Sequence, residues 1–372
     1  MQNQQYERSL SELLSMLPPI QPIGDLLGDV SASCFVGLAG FEPRCASAAA
    51  YLRSAGWRAP CTVFVQYVER EVIAPNREFT TQLCGHLREL SPGREPITID
   101  HDDHNLDCDF GEVLLGTLRS AGLDLENAET HLVFDISAAS SRLLLEGLHA
   151  LMTCNISLTL VYSEPIRYRP TFDEYLQHLD AKRIRAVDPP EFLTRGIDRV
   201  EVLRRFPGAN ADSRPSFLVL FPSFSFTRAC AVIQEISPSR VQWIFGIPHL
   251  VENRWRLDAQ QDYHRSLLEL SHRKCMVSTF DYRETLEVLE NIYRKRRSSY
   301  SMVIASLGSK LQKVGQVLFH LLRPEVAAVA SVPITWQSDG YSTEEPTSIH
   351  SISMGNTASI RDLLQSTRRF RL

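Results

Sequence analysis

The sequence predicts an α/β protein made of two parallel-sheet lobes related by internal duplication. Apolar strand-like runs alternate with amphipathic helical patterns along most of the chain, which is typical of a parallel sheet covered by helices. The second half also repeats the first half block by block and in the same order. The clearest blocks are 131–166 and 301–334, where one frame aligns Arg142 with Lys310 and Gly147 with Gly315.

Further pairs of positions support the repeat. Arg44 falls on Arg228, and Asp109, which opens one amphipathic helix, falls on Asp281, which opens another. The order of blocks is kept, so only small deletions separate the two halves. The alternative is that the halves share only the general pattern of βα units, because buried strands and amphipathic helices recur in every α/β protein.

The elements follow in order from these patterns. Leucines at helical spacing predict a lead-in helix over 5–17, which Pro18 and Pro19 end. The first lobe is predicted to contain strand 34–39, helix 44–55, strand 61–67, helix 76–90, strand 96–100, helix 110–121, strand 131–136, helix 141–152 and strand 156–162. The second lobe repeats this order from 216 to about 335. A polar, loop-like tail follows over 336–356, and a last helix covers 357–368.

The length also favours two domains, since 372 residues exceed the roughly 250 to 300 at which single cores stop growing. The predicted boundaries are a lead-in helix over 1–30, a first lobe over 31–170, a helical connector over 171–215, and a second lobe with its C-terminal tail over 216–372. The two repeats use nearly the whole chain, which leaves no room for a separate catalytic domain.

Composition excludes several classes of protein. No run of 18 apolar residues exists to span a bilayer, and the polar start lacks the features of a secretory signal. The eight cysteines form no C-x-x-C pair, so we expect reduced, mostly buried thiols in a cytoplasmic protein. A net charge of −5 gives no general attraction to nucleic acid, so an anionic ligand must be met by local cations.

The turns between strands and helices are the places to look for a ligand site, because ligands of open α/β sheets bind beyond the carboxyl ends of the strands. Both fourth turns end an apolar strand with small hydroxyl residues and a cation, directly before a helix. These residues are Ser140, Ser141 and Arg142 in the first lobe and Gly308, Ser309 and Lys310 in the second. Such a turn can hold an anion at a helix N-terminus, although a serine there also serves as an ordinary N-cap.

The first turn of each lobe delivers one arginine near a helix start, Arg44 and Arg228. A cation there opposes the helix dipole, so a compensating anion or carboxylate is expected nearby. Glu42 is a candidate partner in the first lobe, whereas Phe226 stands at the equivalent place in the second. The two explanations that remain are a ligand anion and an ion pair on the protein's own surface.

Other clusters point less directly to chemistry. The stretch 101–109 concentrates potential metal ligands, but its spacing matches no metal motif, and a solvated loop ending in Asp109 as an N-cap is the favoured interpretation. Glycine-rich nucleotide motifs and zinc-protease motifs are absent, so no cofactor and no metal are predicted. Four aromatic residues in loops could stack on a base or cover a domain edge: Tyr168, Tyr175, Trp255 and Tyr341.

The paired hydroxyl-rich turns resemble those of the CARF and SAVED sensor domains of prokaryotic antiviral defence. The resemblance implies two Rossmann-like lobes that bind a cyclic oligonucleotide second messenger across their interface. It also implies ligand contacts at Ser140, Ser141, Arg142, Gly308, Ser309 and Lys310, and first-strand loops at 40–44 and 224–228. Members of this family carry an effector domain, which this sequence lacks. The resemblance therefore implies either a separate effector subunit, which is the expected protein partner, or a protein that degrades the messenger itself.

The leading hypothesis is therefore a sensor or regulatory subunit that binds a nucleotide-like anion in a cleft between the lobes, through Arg44, Ser141, Arg142, Arg228, Ser309 and Lys310. The first alternative is an enzyme acting on a nucleotide or phosphosugar with three strand-end carboxylates of the first lobe, Glu42, Asp135 and Glu164. The second alternative is a scaffold subunit of a defence complex. The sequence leaves open whether the protein is an enzyme.

Overall fold

The computed structural model describes residues 10–24, 32–68, 74–105, 107–185, 191–209, 214–268, 273–336 and 348–369. The chain divides into two compact units. Unit 1 comprises Met1–Arg167 together with Ser342–Leu372, and unit 2 comprises Tyr168–Tyr341. Each unit is an α/β fold built around one mostly parallel sheet.

The elements of unit 1 are β1 (Gln21–Pro22), β2 (Cys34–Leu38), α1 (Arg44–Ser54), β3 (Cys61–Tyr67), α2 (Ala74–Leu90), β4 (Ile97–His101), α3 (Phe110–Ser120), β5 (His131–Asp135), α4 (Ser141–Met152), β6 (Ser157–Glu164), β15 (Ser348–Asn356) and α11 (Thr357–Arg369). They form a seven-stranded sheet in the order β1-β15-β6-β5-β2-β3-β4. Strands β2 to β6 are parallel. Strand β15 is antiparallel to β6, and the short β1 pairs antiparallel with β15 at the edge.

The elements of unit 2 are α5 (Phe172–Arg185), β7 (Thr194–Arg195), β8 (Arg199–Pro207), β9 (Ser216–Phe221), α6 (Phe226–Ile236), β10 (Arg240–Ile247), α7 (Trp255–Tyr263), α8 (Arg265–Leu268), β11 (Lys274–Ser278), α9 (Tyr282–Arg296), β12 (Ser301–Ser306), α10 (Lys310–Leu322), β13 (Ala327–Val332) and β14 (Thr335–Trp336). They form a six-stranded sheet in the order β11-β10-β9-β12-β13-β8, in which β8 is antiparallel to β13. A separate two-stranded sheet pairs β14 with β7.

The five parallel strands of each unit have the same spatial order, with the third strand at one edge, then the second, first, fourth and fifth. This is the Rossmann order, and its connections reverse direction between the first and fourth strands. The reversal lies between β2 and β5 in unit 1 and between β9 and β12 in unit 2. The first and fourth turns singled out from the sequence are therefore the turns that flank this switch point in each unit.

Two aligned pairs of residues occupy equivalent places in the two units. Asp109 caps α3 by accepting from the N–H groups of Gly111 and Glu112, and Asp281 caps α9 by accepting from Arg283 N–H. A Cβ on Gly147 would lie 2.8 Å from the ring of Phe110, the residue after the first cap. A Cβ on Gly315 would lie 2.3 Å from the carbonyl oxygen of Tyr282, the residue after the second cap.

These parallels strengthen the predicted repeat. In each unit, the glycine lets the helix that follows the fourth parallel strand approach the start of the preceding helix. The α/β class of both lobes is confirmed. A common origin by duplication stays a prediction, since shared βα packing can also arise without it.

Most predicted elements of the first lobe are confirmed within one or two residues, including strand 61–67 and helix 141–152. The lead-in helix is confirmed over its described part, 10–16, and the last helix is confirmed as α11. No helix among the described residues has both the length and the apolarity that crossing a bilayer requires.

One assignment was wrong and one was incomplete. The tail was predicted to be a loop of the second lobe, but 348–356 forms β15, which pairs with β6 of unit 1 from Ser348 opposite Glu164 to Asn356 opposite Ser157. The helix predicted in the connector is confirmed as α5, but the connector also forms β8, an antiparallel edge strand of unit 2 that was not predicted. Each of these strands pairs with a strand that lies far away along the chain, so the neighbouring sequence did not indicate the pairing.

Candidate functional site

The switch point of unit 1 is closely packed. A Cβ on Gly40, in the first turn, would lie 2.8 Å from the Cβ of Ala138 in the fourth turn, so the two turns are in contact. Arg44 is the first residue of α1 and is only 4% exposed. Its guanidinium forms an ion pair with Glu42 at 2.7 Å, so the carboxylate expected beside this arginine comes from the protein itself.

The fourth turn of unit 1 is used internally. Ser140 caps α4, its hydroxyl accepting from Leu143 N–H and donating to Asp103 Oδ1 at 2.8 Å. Ser141 follows as the first, half-buried residue of the helix. The same aspartate lies 2.9 Å from the ring of His101, and it has a lowered pKa because this hydrogen bond and others to the carboxylate outweigh its burial. The hydrogen bond from Leu143 N–H confirms the interpretation of Ser140 as the N-cap of α4.

Arg142 joins this internal network. Its Nε donates to Glu146 Oε1 at 3.0 Å, and its two terminal nitrogens donate to the carbonyl oxygens of Asp103, Asn105 and Cys108. The side chain is 5% exposed. Because four protein acceptors surround the guanidinium, Arg142 holds Asp103, Asn105 and Cys108 against the start of α4. This geometry leaves a ligand contact at this residue without support.

The three carboxylates of the proposed enzyme differ in their surroundings. Glu42 is paired with Arg44, and Glu164 lies 3.2 Å from His350 Nε2 on β15. Asp135 is 1% exposed, and its Oδ1 accepts from the N–H and the hydroxyl of Ser137. Burial raises the pKa of Asp135 to about 7 in spite of these hydrogen bonds. A carboxyl with this pKa is suited to acid–base work near neutral pH.

In unit 2, the first turn binds a carboxylate. Glu191 Oε1 accepts from Thr227 N–H at 2.9 Å, and its Oε2 accepts from the hydroxyl of Ser225 at 2.8 Å. A carboxylate at this place complements the N-terminus of α6. Phe224, also in this turn, is buried in an aromatic cluster with Tyr175 and Tyr263.

Arg228 extends from the first turn of α6 toward the neighbouring strand β13. It is 7% exposed, and its terminal nitrogen donates to Ser331 O at 2.7 Å. Its guanidinium carbon lies 5.7 Å from the ring centroid of Trp336 in β14. Its charge also acts on Lys313 of α10, whose pKa it helps to lower.

The fourth turn of unit 2 has a complete capping box. Ser309 Oγ accepts from Gln312 N–H, and Gln312 Oε1 accepts from Ser309 N–H at 2.9 Å. A Cβ on Gly308 would lie 2.3 Å from that same amide oxygen, so glycine is needed for the capping box to close. Lys310 follows as the first residue of α10 and is half-buried.

Lys313, one turn further into α10, is the most unusual charged residue of the site. It is 1% exposed, and its ammonium donates to the carbonyl oxygens of Gly308 and Ser309. Burial holds the pKa of Lys313 well below its usual range, and the neighbouring cations Lys310 and Arg228 lower it further. Three cations therefore converge between the start of α6 and the start of α10.

Two buried hydroxyls accompany these cations. Ser306, at the end of β12, and Ser331, in β13, are 5% and 3% exposed. Within the described part of the chain, neither hydroxyl oxygen has a hydrogen-bond partner. Val329 packs with Ala229 of α6, so side-chain alternation along β13 places Ser331 on the same face as Arg228. Buried polar groups of this kind are usually satisfied by a partner such as a ligand or water.

The remaining sequence predictions have mixed outcomes. No group of residues suited to metal binding occurs among the described residues, and Asp109 is the predicted N-cap. All eight cysteines lie in the described part of the chain, and none of them forms a disulfide there. Tyr175 and Trp255 belong to the aromatic cluster that packs on Phe224, and Tyr168 packs against Arg256. Tyr341 lies outside the described residues.

Sequence reasoning missed Lys313 and Trp336. Two lysines within the first four residues of a helix oppose its dipole, and this signal was available in Lys310 and Lys313. Trp336 gave no such signal, because it belongs to a two-residue strand whose partner, β7, lies about 140 positions earlier in the chain.

Comparisons with known proteins leave the family of this chain open. No protein-family model matches it, and no curated protein matches it. Among solved structures, one match is the crystal structure of the cytoplasmic domain of a prokaryotic cation chloride cotransporter. It is 8% identical, covers 82% of this chain and 96% of that chain, and has a TM-score of 0.23, which is too low to bear on fold or function.

Proposed function

We propose that this protein binds a nucleotide-type anion at the switch point of unit 2, as a sensor or regulatory subunit of a prokaryotic defence system. The observation that carries the proposal is the burial of Lys313 beside Lys310 and Arg228. Burying a cation among cations is costly, and a bound anion would offset that cost. The resemblance of the turns to CARF and SAVED domains suggests a cyclic oligonucleotide.

The residues for this role come partly from the sequence and partly from the structure. Arg228 and Lys310 supply charge. Hydrogen bonds come from the buried hydroxyls of Ser306 and Ser331, which have no partner among the residues that the structure describes. The N–H groups at the start of α10 lie beside them, although its capping box already occupies two. An anion held here would share its charge among three cations, which is the usual chemistry of a phosphate site.

The switch point of unit 1 does not offer an equivalent site for an anion. Arg44 is neutralised by Glu42, and Arg142 by Glu146 and backbone carbonyls. We therefore expect unit 2 to supply most of the affinity. The shared cleft between lobes stays a prediction of the sequence.

Titration calorimetry on the full chain tests this proposal. The probes are AMP, ATP, cyclic di-AMP and cyclic tetra-adenylate, each added to wild type, Lys310→Ala and Lys313→Met. The matched control is Lys295→Met, which removes an exposed lysine near the C-terminal end of α9. We expect both site variants to weaken binding at least tenfold, while the control leaves it unchanged. Binding of no probe by wild type would remove the proposal.

A second function is favoured by Asp135. A buried carboxyl with a pKa of about 7 can accept or donate a proton near neutral pH, as an enzyme acting on a nucleotide or phosphosugar requires. Turnover that Asp135→Asn abolishes with its fold intact would favour an enzyme. Binding without turnover would favour the sensor, and a stoichiometric protein partner without any small molecule would favour a scaffold.

A further inference from the structure

Trp336 lies beside Arg228, one of the cations of unit 2, and strand pairing holds it in place. It pairs with Thr194 across the β7–β14 sheet, and the Thr194 hydroxyl lies 3.3 Å from that of Ser225, in the turn before α6. This contact ties β14 to the switch point. The indole is half-buried, so part of its surface remains accessible.

The ring is also coupled to the site electrostatically. Arg228 Cζ lies 5.7 Å from the centroid of Trp336, within the range of a cation–π interaction. The guanidinium is fixed on another side by its hydrogen bond to Ser331 O. The same residue carries a buried hydroxyl with no partner in the described part of the chain. An accessible aromatic ring, a cation and an unsatisfied hydroxyl thus stand next to each other.

We propose that Trp336 is the stacking platform for an aromatic base attached to the bound anion, so that unit 2 selects nucleotides over phosphosugars and inorganic phosphates. This inference rests on the proposed function, since it assumes an anion beside Arg228 and Lys310. A phosphate held by the cations brings the base it carries within reach of the indole. Stacking of a base on an aromatic side chain strengthens binding by roughly 10- to 100-fold.

The test compares two probes of similar charge, one with a base and one without. Calorimetry measures the binding of ATP and of inorganic tripolyphosphate to wild type, Trp336→Ala and Trp336→Phe. We expect wild type to bind ATP roughly 10- to 100-fold more tightly than tripolyphosphate. Trp336→Ala should remove this preference by weakening ATP alone, and Trp336→Phe should retain most of it. Val251→Ala, which changes an exposed apolar residue of unit 2, is the control and should change neither affinity.

Three results would overturn the inference. Equal binding of both probes by wild type would show that the base makes no contact, while anion binding itself would stand. Equal weakening of both probes by Trp336→Ala would show that the indole only supports Arg228. Failure of both probes to bind wild type would remove the anion site, and the stacking platform with it.

Discussion

Arg142 and Glu146 form a buried ion pair one helical turn apart, with Nε and Oε1 separated by 3.0 Å. The other carboxylate oxygen accepts from Phe110 N–H at 2.9 Å, so the pair joins the starts of α3 and α4. The arginine that the sequence assigned to a ligand thus binds the protein's own loop. Its aligned counterpart, Lys310, is half-buried and contributes to a cluster of cations.

This difference predicts opposite effects on stability and binding. Arg142→Met should lower the free energy of unfolding by about 3 kcal/mol, because it leaves the buried Glu146 carboxylate without its cation. Lys310→Met should change stability by less than about 0.5 kcal/mol, as expected for a partly exposed side chain. Urea denaturation followed by circular dichroism measures both. Equal stability of the two variants would contradict the assigned roles.

The two glycines at the helix crossings should differ in their tolerance of alanine. Gly315→Ala places a methyl group against the backbone oxygen of Tyr282, so α9 and α10 must separate, at a cost of about 1–3 kcal/mol. Gly147→Ala meets the ring of Phe110, which can shift, so the loss should be smaller. The melting temperatures of the two variants show which substitution destabilises the protein more. A more stable Gly315→Ala protein would show that the helices are not in close contact there.

Asp135 should make stability depend on pH. Its pKa is raised to about 7 in the folded protein, so between about pH 4 and 7 the folded state holds a proton that the unfolded state has lost. The free energy of unfolding therefore falls as pH rises through this window. Asp135→Asn keeps an oxygen to accept from Ser137 but cannot titrate, so its stability should fall less between pH 5 and 8. Parallel pH profiles of the two proteins would refute the raised pKa.

Lys313 should link anion binding to proton uptake. Its pKa is lowered by burial and by Lys310 and Arg228, and a bound anion should raise it again. Calorimetry with ATP at pH 7.5, in Tris and in HEPES, gives the number of protons taken up. Wild type should take up more protons on binding ATP than Lys313→Met does. Protons that ATP itself gains or loses contribute to both measurements, so they cancel in the difference between the two proteins. The same number for both proteins would mean that Lys313 does not change its protonation.

The lysine should also affect stability in the absence of a ligand. With a lowered pKa, the folded state binds fewer protons than the unfolded state, so the cost of burying Lys313 is greatest at low pH and vanishes above its ordinary pKa of about 10.4. Lys313→Met should therefore stabilise the protein most at low pH, and the two melting temperatures should converge toward pH 10.

The sequence by itself determined the α/β class, the order of elements and the turns that flank the switch point. These features follow from local properties, namely the spacing of apolar residues and the capping residues Asp109, Ser140 and Ser309. Only the tertiary structure decided that Ser348–Asn356 is a strand of unit 1, and that Arg142 is neutralised while Lys313 is buried among cations. Strand pairing and desolvation depend on residues far away along the chain, and no local pattern records which groups those will be.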